Sequence, residues 1–343
     1  MNSRVKTAVI VGCGSIGIRH FNYLLPFVEK IVVVDPKKDI EGLPKESVKH
    51  FLSIEEISEM EGPNNIGVVS NWGPDHLETV KMLVNKGIRK IVLEKPMVCS
   101  IEQLEELANL VQKFQLSLVV NQGWHYVSLS DRINELSASF KLGPAVGLFA
   151  WGGARCHSTF GSHLIHLANS IFQSSPNEIC AMLSNSRINP RGTSLEYLEG
   201  SVTVRYESGA QLAINFTNSS SVAGKVNIVW KEADATLIEE EIEVMRRPEQ
   251  RDFAEIITRY GETNQELFKG KVPWGRLKEV SQMEGLYASL IEKTYEELSI
   301  ELHHHMTSSR VLLMALISSH TGKTVKISDE LTENFRTKLF RIS

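Results

Sequence analysis

Apolar residues run almost unbroken through "VKTAVIV" (5–11), "KIVVVD" (30–35), "NIGVVSN" (65–71), "RKIVLE" (89–94) and "LSLVVN" (116–121). Such short, continuous runs suit strands of a parallel sheet buried on both faces. Between them the spacing becomes helical. A helix is predicted from Ser15 to about Phe27. "SIEEISEM" (53–60) begins with serine followed by glutamates and predicts a short one. "PDHLETVKMLVNKG" (74–87) carries proline at its start and glycine at its end, and "SIEQLEELANLVQKF" (100–114) is an amphipathic helix capped by Ser100. Strand and helix in turn, with short links, predict a doubly wound α/β domain over residues 1–121.

After Asn121 the rhythm changes. Helical segments are expected at 128–140 and 158–173, with "AVGLFAWGG" (145–153) between them. Runs with strand character follow: "EICAMLSN", "EGSVTVRYES", "AQLAINFTNS", "KVNIVWKE" and "ATLIEEEIEV". "YESGAQ" reads as a hairpin turn in which glycine supplies a positive φ. A long helical region over about 277–320 closes the chain. Residues 122–343 therefore read as an α+β domain with an antiparallel sheet, whose last helix could pack back on the first domain.

Composition changes this picture little. The chain has 343 residues, 42% hydrophobic and 23% charged, with a formal net charge of −4. That balance gives no reason to expect a nucleic-acid partner. No apolar stretch is long enough to span a bilayer. The basic, then apolar, start ends in a glycine turn rather than a signal-peptidase site, so it reads as a first strand. The four cysteines form no C-x-x-C pair, which points to free thiols and a cytoplasmic setting.

The candidate chemistry begins at "VGCGSIGIRH" (11–20), where Gly12, Gly14 and Gly17 spell G-x-G-x-x-G between a strand and a helix. Gly12 permits the tight turn, Gly14 lets a pyrophosphate approach the backbone, and Gly17 lets the helix pack close to the strand. The amide groups that open the helix face the phosphates. Asp35, at the end of the second strand, is placed to accept hydrogen bonds from a ribose. Its charge would repel a 2′-phosphate, so NAD is expected over NADP.

"VLEKPM" puts Glu94, Lys95 and Pro96 at the carboxyl end of a strand, the edge where ligands bind in open parallel sheets. The glycine fingerprint followed by this motif resembles the Gfo/Idh/MocA family of nicotinamide-dependent oxidoreductases. So do "SNWGPDHLETVKMLVNKGIRKIVLEKPM" with His76, "GSHLIHLANSIF", and "SSRVLLMALISSHTGKTVKI". The resemblance implies a Rossmann domain and an α+β domain with a large open, mainly antiparallel sheet that often mediates homodimers or homotetramers. It implies NAD as cofactor, held by Gly12, Gly14, Ser15, Ile16, Gly17, Asp35, Asn71, Trp72, His76, Glu94 and Lys95, and a Lys–Pro bond that is often cis. It also implies hydride transfer at a secondary alcohol of a sugar, cyclitol or nucleotide sugar.

The family's catalytic helix usually reads D-x-x-x-H-x-x-D. Aligned on Gly161 and His163, it keeps the histidine but places Thr159 and His166 at the aspartate positions. Lys95, His163 and Thr159 are thus the implied catalytic set, with His163 taking the hydroxyl proton and Thr159 able to hydrogen-bond but not to supply charge. Trp124 could stack on a sugar face or pack a domain interface, and His125 stands beside it. Arg155 and His157 could meet an anionic substrate or lie on a surface loop; His166, one turn beyond His163, could join the proton relay or the substrate site. Cys156, His157, His163 and His166 are metal-ligand types, but their spacing matches no zinc signature, and His303, His304 and His305 point apart on a helix, so no metal is expected. A non-catalytic NAD-binding regulatory or scaffold protein is the alternative, motivated by the altered helix.

Overall fold

The computed structural model describes residues 5–44, 48–60, 62, 64–190, 192, 194–238, 241–246, 265–271 and 279–342. Six strands, β1 (Val5–Val11), β2 (Val28–Val34), β3 (Lys49–Phe51), β4 (Asn65–Val69), β5 (Lys90–Leu93) and β6 (Ser117–Val120), form a sheet ordered β3-β2-β1-β4-β5-β6. Every pair in it is parallel. This order reverses between β1 and β4, and a doubly wound sheet opens its ligand crevice at that point. Helices α1 (Ser15–Leu24), α2 (His76–Asn85) and α3 (Ile101–Phe114) link the strands. Ser100 caps α3 by accepting a hydrogen bond from the Gln103 amide, as its sequence predicts.

The predicted helix at 53–60 is a single 3-10 turn, Ile54–Glu56. The buried Ile54 and Ile57 are spaced by three, which suits that tighter turn, and the Met60 amide is drawn away to donate to the Lys86 carbonyl.

Beyond β6, the short helix α4 (Gly123–Tyr126) and α5 (Leu129–Ser139) lead into β7 (Gly147–Gly152). A π turn, His157–Gly161, then opens α6 (Ser162–Phe172). The strands β8 (Pro176–Asn185), β9 (Leu198–Tyr206), β10 (Gln211–Phe216), β11 (Lys225–Val229), β12 (Ala233–Ile238), β13 (Glu241–Arg246), β14 (Gln265–Lys271) and β15 (Val325–Lys326) follow in the chain. With β7 they make a nine-stranded sheet ordered β14-β13-β12-β11-β7-β10-β9-β8-β15. It is antiparallel except where β10 runs parallel to β7. "YESGAQ" is the expected hairpin, with Gly209 at φ 87°.

The helical region at the end is two helices, α7 (Glu279–Glu292) and α8 (Tyr295–Thr321). Met283, Leu286, Tyr287 and Leu290 of α7 share one apolar cluster with Phe21 and Leu24 of α1 and with Ile10, Val68 and Val92 of the parallel sheet. Residues from beyond Asn121 thereby wall the crevice at the top of the first domain. Among the described residues no helix is long and apolar enough to cross a membrane.

Candidate active site

At the glycine loop, two of the three glycines are imposed by packing. A Cβ on Gly12, whose φ is 84°, would fall 2.4 Å from the Asn71 amide nitrogen, and one on Gly17 would fall 2.2 Å from the Gly12 carbonyl oxygen. Gly14 differs: a Cβ there would meet nothing within 4 Å, and no side chain caps the helix it opens. Open space over an uncapped helix start is what a pyrophosphate requires.

Asp35 reaches back to this loop. Its Oδ2 accepts from the Cys13 amide at 2.7 Å and its Oδ1 from the Lys37 amide at 2.8 Å. A carboxylate offers about four acceptor positions, so two remain for a ribose diol. Because the Cys13 amide is spent on Asp35, the amides left to face a pyrophosphate begin at Gly14. Ser15 is exposed and Ile16 half-buried at the start of α1.

The next strand ends carry the second layer. His76 is buried, with Nδ1 2.9 Å from the Pro96 carbonyl and Nε2 3.2 Å from the Asn71 carbonyl. Burial holds its pKa below the usual value, so the neutral ring has one N–H and donates to one of the two. Its part is to tie the Asn71 loop to the lysine–proline turn. Asn71 donates to Thr79 through Nδ2, and Trp72 is 54% exposed.

Glu94 is buried and is held through one of its oxygens. One oxygen accepts from Asn121 Nδ2 at 2.6 Å and from His20 Nε2 at 2.8 Å, while His20 Nδ1 lies 2.8 Å from the Tyr287 hydroxyl. The carboxylate can only accept, so His20 donates to it from Nε2. Burial pushes the Glu94 carboxyl up, but the His20 hydrogen bond and charge, Lys95 and Asn121 outweigh it and hold the pKa below its ordinary value. Sequence reasoning missed His20, Asn121 and Tyr287. His20 stood in plain view three residues after Gly17; Tyr287 has no local signal.

Lys95 follows, with a cis bond to Pro96. It lines a cleft of about 560 Å³ together with Ile16, Asn121, Gln282 and His163. The two implied catalytic side chains, one from each part of the chain, thus meet at the carboxyl edge of the sheet. Arg19, Asn22 and Tyr23 of α1 also wall this cleft, at positions that no motif marks. Burial, then the Lys95 ammonium and His166, hold the His163 pKa well below that of free histidine. His163 is therefore a neutral base at ordinary pH.

The remaining implied residues divide. Thr159 turns its hydroxyl back to the Cys156 carbonyl at 3.5 Å and does not line the cleft. Trp124 stacks on the His163 ring at 5.4 Å and meets Phe160 edge-on at 5.3 Å, the packing alternative for this residue. His157 is buried with Nε2 at the Gly200 carbonyl and its ring against Phe216, and the Arg155 guanidinium covers Phe160 at 4.0 Å. Neither lines the cleft. His166 is buried away from it, stacked on His305 at 4.6 Å and 3.4 Å from His125. Among the described residues no group of three or more histidine, cysteine or acidic side chains is arranged to hold a metal ion.

Residues 6–122 match the model of an oxidoreductase family with an NAD-binding Rossmann fold. Over those residues the chain is similar to the Gfo/Idh/MocA oxidoreductases. A curated relative, spermatocyte protein spe-26 of Caenorhabditis elegans, is 26% identical over 126 residues, which is 35% of this chain and 22% of that protein's length. Solved structures share the whole architecture. An oxidoreductase from Thermotoga maritima superposes with a TM-score of 0.69 at 16% identity, covering 95% of this chain and 99% of its own. GenD2 of gentamicin A biosynthesis, in complex with NAD, gives 0.68 at 15%, covering 95% and 97%. Apo scyllo-inositol dehydrogenase from Lactobacillus casei gives 0.67 at 13%, covering 96% and 100%. At such identities the likeness is one of fold. The matched Rossmann domain is NAD-binding, and the open space over Gly14, the uncapped start of α1 and the two remaining acceptor positions on Asp35 fit NAD.

Proposed function

We propose that this oxidoreductase moves a hydride between NAD and a secondary alcohol or ketone of a sugar, cyclitol or nucleotide sugar. The observation that carries the reading is that Lys95 and His163 line one cleft at the sheet's carboxyl edge. NAD, when bound over the glycine loop, supplies the hydride acceptor or donor. Lys95 hydrogen-bonds the reacting oxygen and stabilises developing alkoxide charge. His163, neutral, accepts the hydroxyl proton in the oxidising direction and returns it in the other. Glu94, held by His20 and Asn121, fixes the turn from which Lys95 projects. Thr159, turned onto its own backbone, is left outside the relay. Polar groups of Asn22, Tyr23 and Gln282 provide partners for further hydroxyls.

A panel of sugars, cyclitols and nucleotide sugars, followed by NADH absorbance, tests this. Lys95→Ala and His163→Ala should each lower turnover by about 10²–10⁴-fold while NAD affinity changes little. A His163→Ala enzyme at the wild-type rate would remove histidine from the mechanism. A chain that binds NAD but turns over nothing in the panel would favour the regulatory reading, which the displaced Thr159 supports.

The exposed Phe149, Trp151 and Met182 on the outer face of the nine-stranded sheet support assembly as a homodimer or homotetramer. Light scattering of the wild type and of Trp151→Glu tests this: the variant should fall to a smaller species. All four cysteines are free thiols, which supports a reducing, cytoplasmic setting.

A further inference from the structure

His163 lines a second, smaller space besides the cleft. This cavity of about 10 Å³ is bordered by Gln122, Trp124, His125, Ser130, His163, His166 and Ser170. Its volume is that of about one water molecule, the room a buried water needs. Two buried atoms of its walls, His163 Nδ1 and Gln122 Oε1, have no protein hydrogen-bond partner. Left so, each would be a buried polar atom whose lost hydration nothing repays.

The neighbouring hydrogen bonds restrict how a water can sit. The Ser170 hydroxyl donates to the His166 carbonyl at 3.0 Å, so towards the cavity Ser170 accepts. The Ser308 hydroxyl donates to the His304 carbonyl at 2.9 Å, so His166 Nδ1, at 3.2 Å, donates to Ser308. A neutral His166 then has a lone pair on Nε2, which faces His125 Nδ1 at 3.4 Å. Gln122 Oε1 is a carbonyl and accepts. A water in the cavity therefore donates its two protons to Gln122 and Ser170 and turns its lone pairs to His163.

We propose that one water bound in this cavity, anchored by Gln122, holds His163 as the tautomer protonated on Nδ1. The lone pair on Nε2 is then left for the cleft. Where the family pattern has an aspartate before the histidine, this chain has Thr159 turned onto the Cys156 carbonyl, and Gln122 with its water does the orienting instead. Gln122 is thus a positioning residue. Its importance for turnover rests on the reading of His163 as proton carrier; the tautomer itself does not.

Selective ¹⁵N labelling of histidine, with the His163 signals assigned by loss in His163→Gln, reads the tautomer without any substrate. The wild type should show His163 protonated on Nδ1. Gln122→Leu should move the proton to Nε2, and Gln122→Glu, which keeps an acceptor, should retain Nδ1–H. A wild-type ring protonated on Nε2, or an unchanged tautomer in Gln122→Leu, overturns the proposal. Should Gln122→Leu fail to fold, a high-resolution crystal structure of the wild type decides: density for a water within hydrogen-bond distance of both His163 Nδ1 and Gln122 Oε1 supports it, and an empty cavity overturns it. With a substrate in hand, Gln122→Leu should lower kcat by at least about tenfold with the KM for NAD unchanged, since a base held in the wrong tautomer cannot take the proton. An Nδ1–H tautomer combined with full activity of His163→Ala would overturn the catalytic role of His163 and leave the bound water standing.

Discussion

Asp35 carries two loads. Its position at the end of β2, about 20 residues past the glycines, made it readable as a ribose acceptor. Its second contact, with the Cys13 amide at 2.7 Å, was not readable, because a backbone donor leaves no mark in the sequence. The same contrast separates Lys95 and His163, which motif and alignment identify, from Tyr287, which reaches His20 across 267 residues of chain. It also explains Arg155 and His157. Residue type suggested an anion site, yet a buried imidazole and a guanidinium over a ring satisfy the same composition by packing. The double role of Asp35 gives a specific expectation. Asp35→Ala should weaken NAD binding by about 10–100-fold, the scale of a lost charge-assisted hydrogen bond. It should also narrow the preference over NADP, since the repelling charge is gone. Calorimetric titration of both cofactors checks this; an unchanged NAD/NADP ratio would assign discrimination to another group.

The elements that were legible are those whose pattern is set locally. The parallel strands announce themselves by unbroken apolar runs and α3 by its capped, amphipathic period. The break between α7 and α8 was locally encoded too: the Thr294 side chain accepts from the Glu297 amide while the Glu297 side chain accepts from the Thr294 amide. This Thr-x-x-Glu box lay unread inside one long helical region. Strand β3 is three residues long and β15 two, too short for any period to register. At the junction of β1 and α1 the glycines can be told apart by experiment. Gly14→Ala has space and a negative φ, so the melting temperature should hardly move while NAD affinity falls, because the methyl group enters the space left for the pyrophosphate. Gly17→Ala drives a Cβ to 2.2 Å from the Gly12 carbonyl oxygen, so the helix must lift and stability should drop by about 1–3 kcal/mol. Equal effects of the two substitutions on melting would contradict this division.

At the scale of the whole molecule, the chain buries an unusual number of neutral histidines where its two parts meet and behind that seam. Burial holds His157 down to about 4 and His166 to about 3, and holds His76, His163 and His305 below the free value as well. His163, His166 and His305 also depress one another or are depressed by neighbouring cations, so the first proton taken up makes the next harder. In the unfolded chain each would titrate near 6.5. Above that pH neither state holds the extra protons and stability is complete. As pH falls below about 6.5 the unfolded state binds protons that the folded state refuses. Stability then declines by roughly 1 kcal/mol per pH unit for each such histidine, until the folded pKa values of about 3–4 are reached. Glu301, held at about 2, and Glu94 add acid sensitivity only below the ordinary carboxylate range, so the interval from pH 6.5 to 5 belongs to histidine. Urea denaturation followed across pH 8 to 5 should show a plateau and then a steep fall. His305 isolates the cause, because both of its ring nitrogens are buried without partners and its ring stacks on His166 at 4.6 Å. His305→Phe keeps an aromatic ring there and removes a titrating group. It should fold at neutral pH with undiminished stability and show a shallower fall on acidification. The same slope in wild type and variant would mean that the buried histidine stack is not what limits the protein in acid.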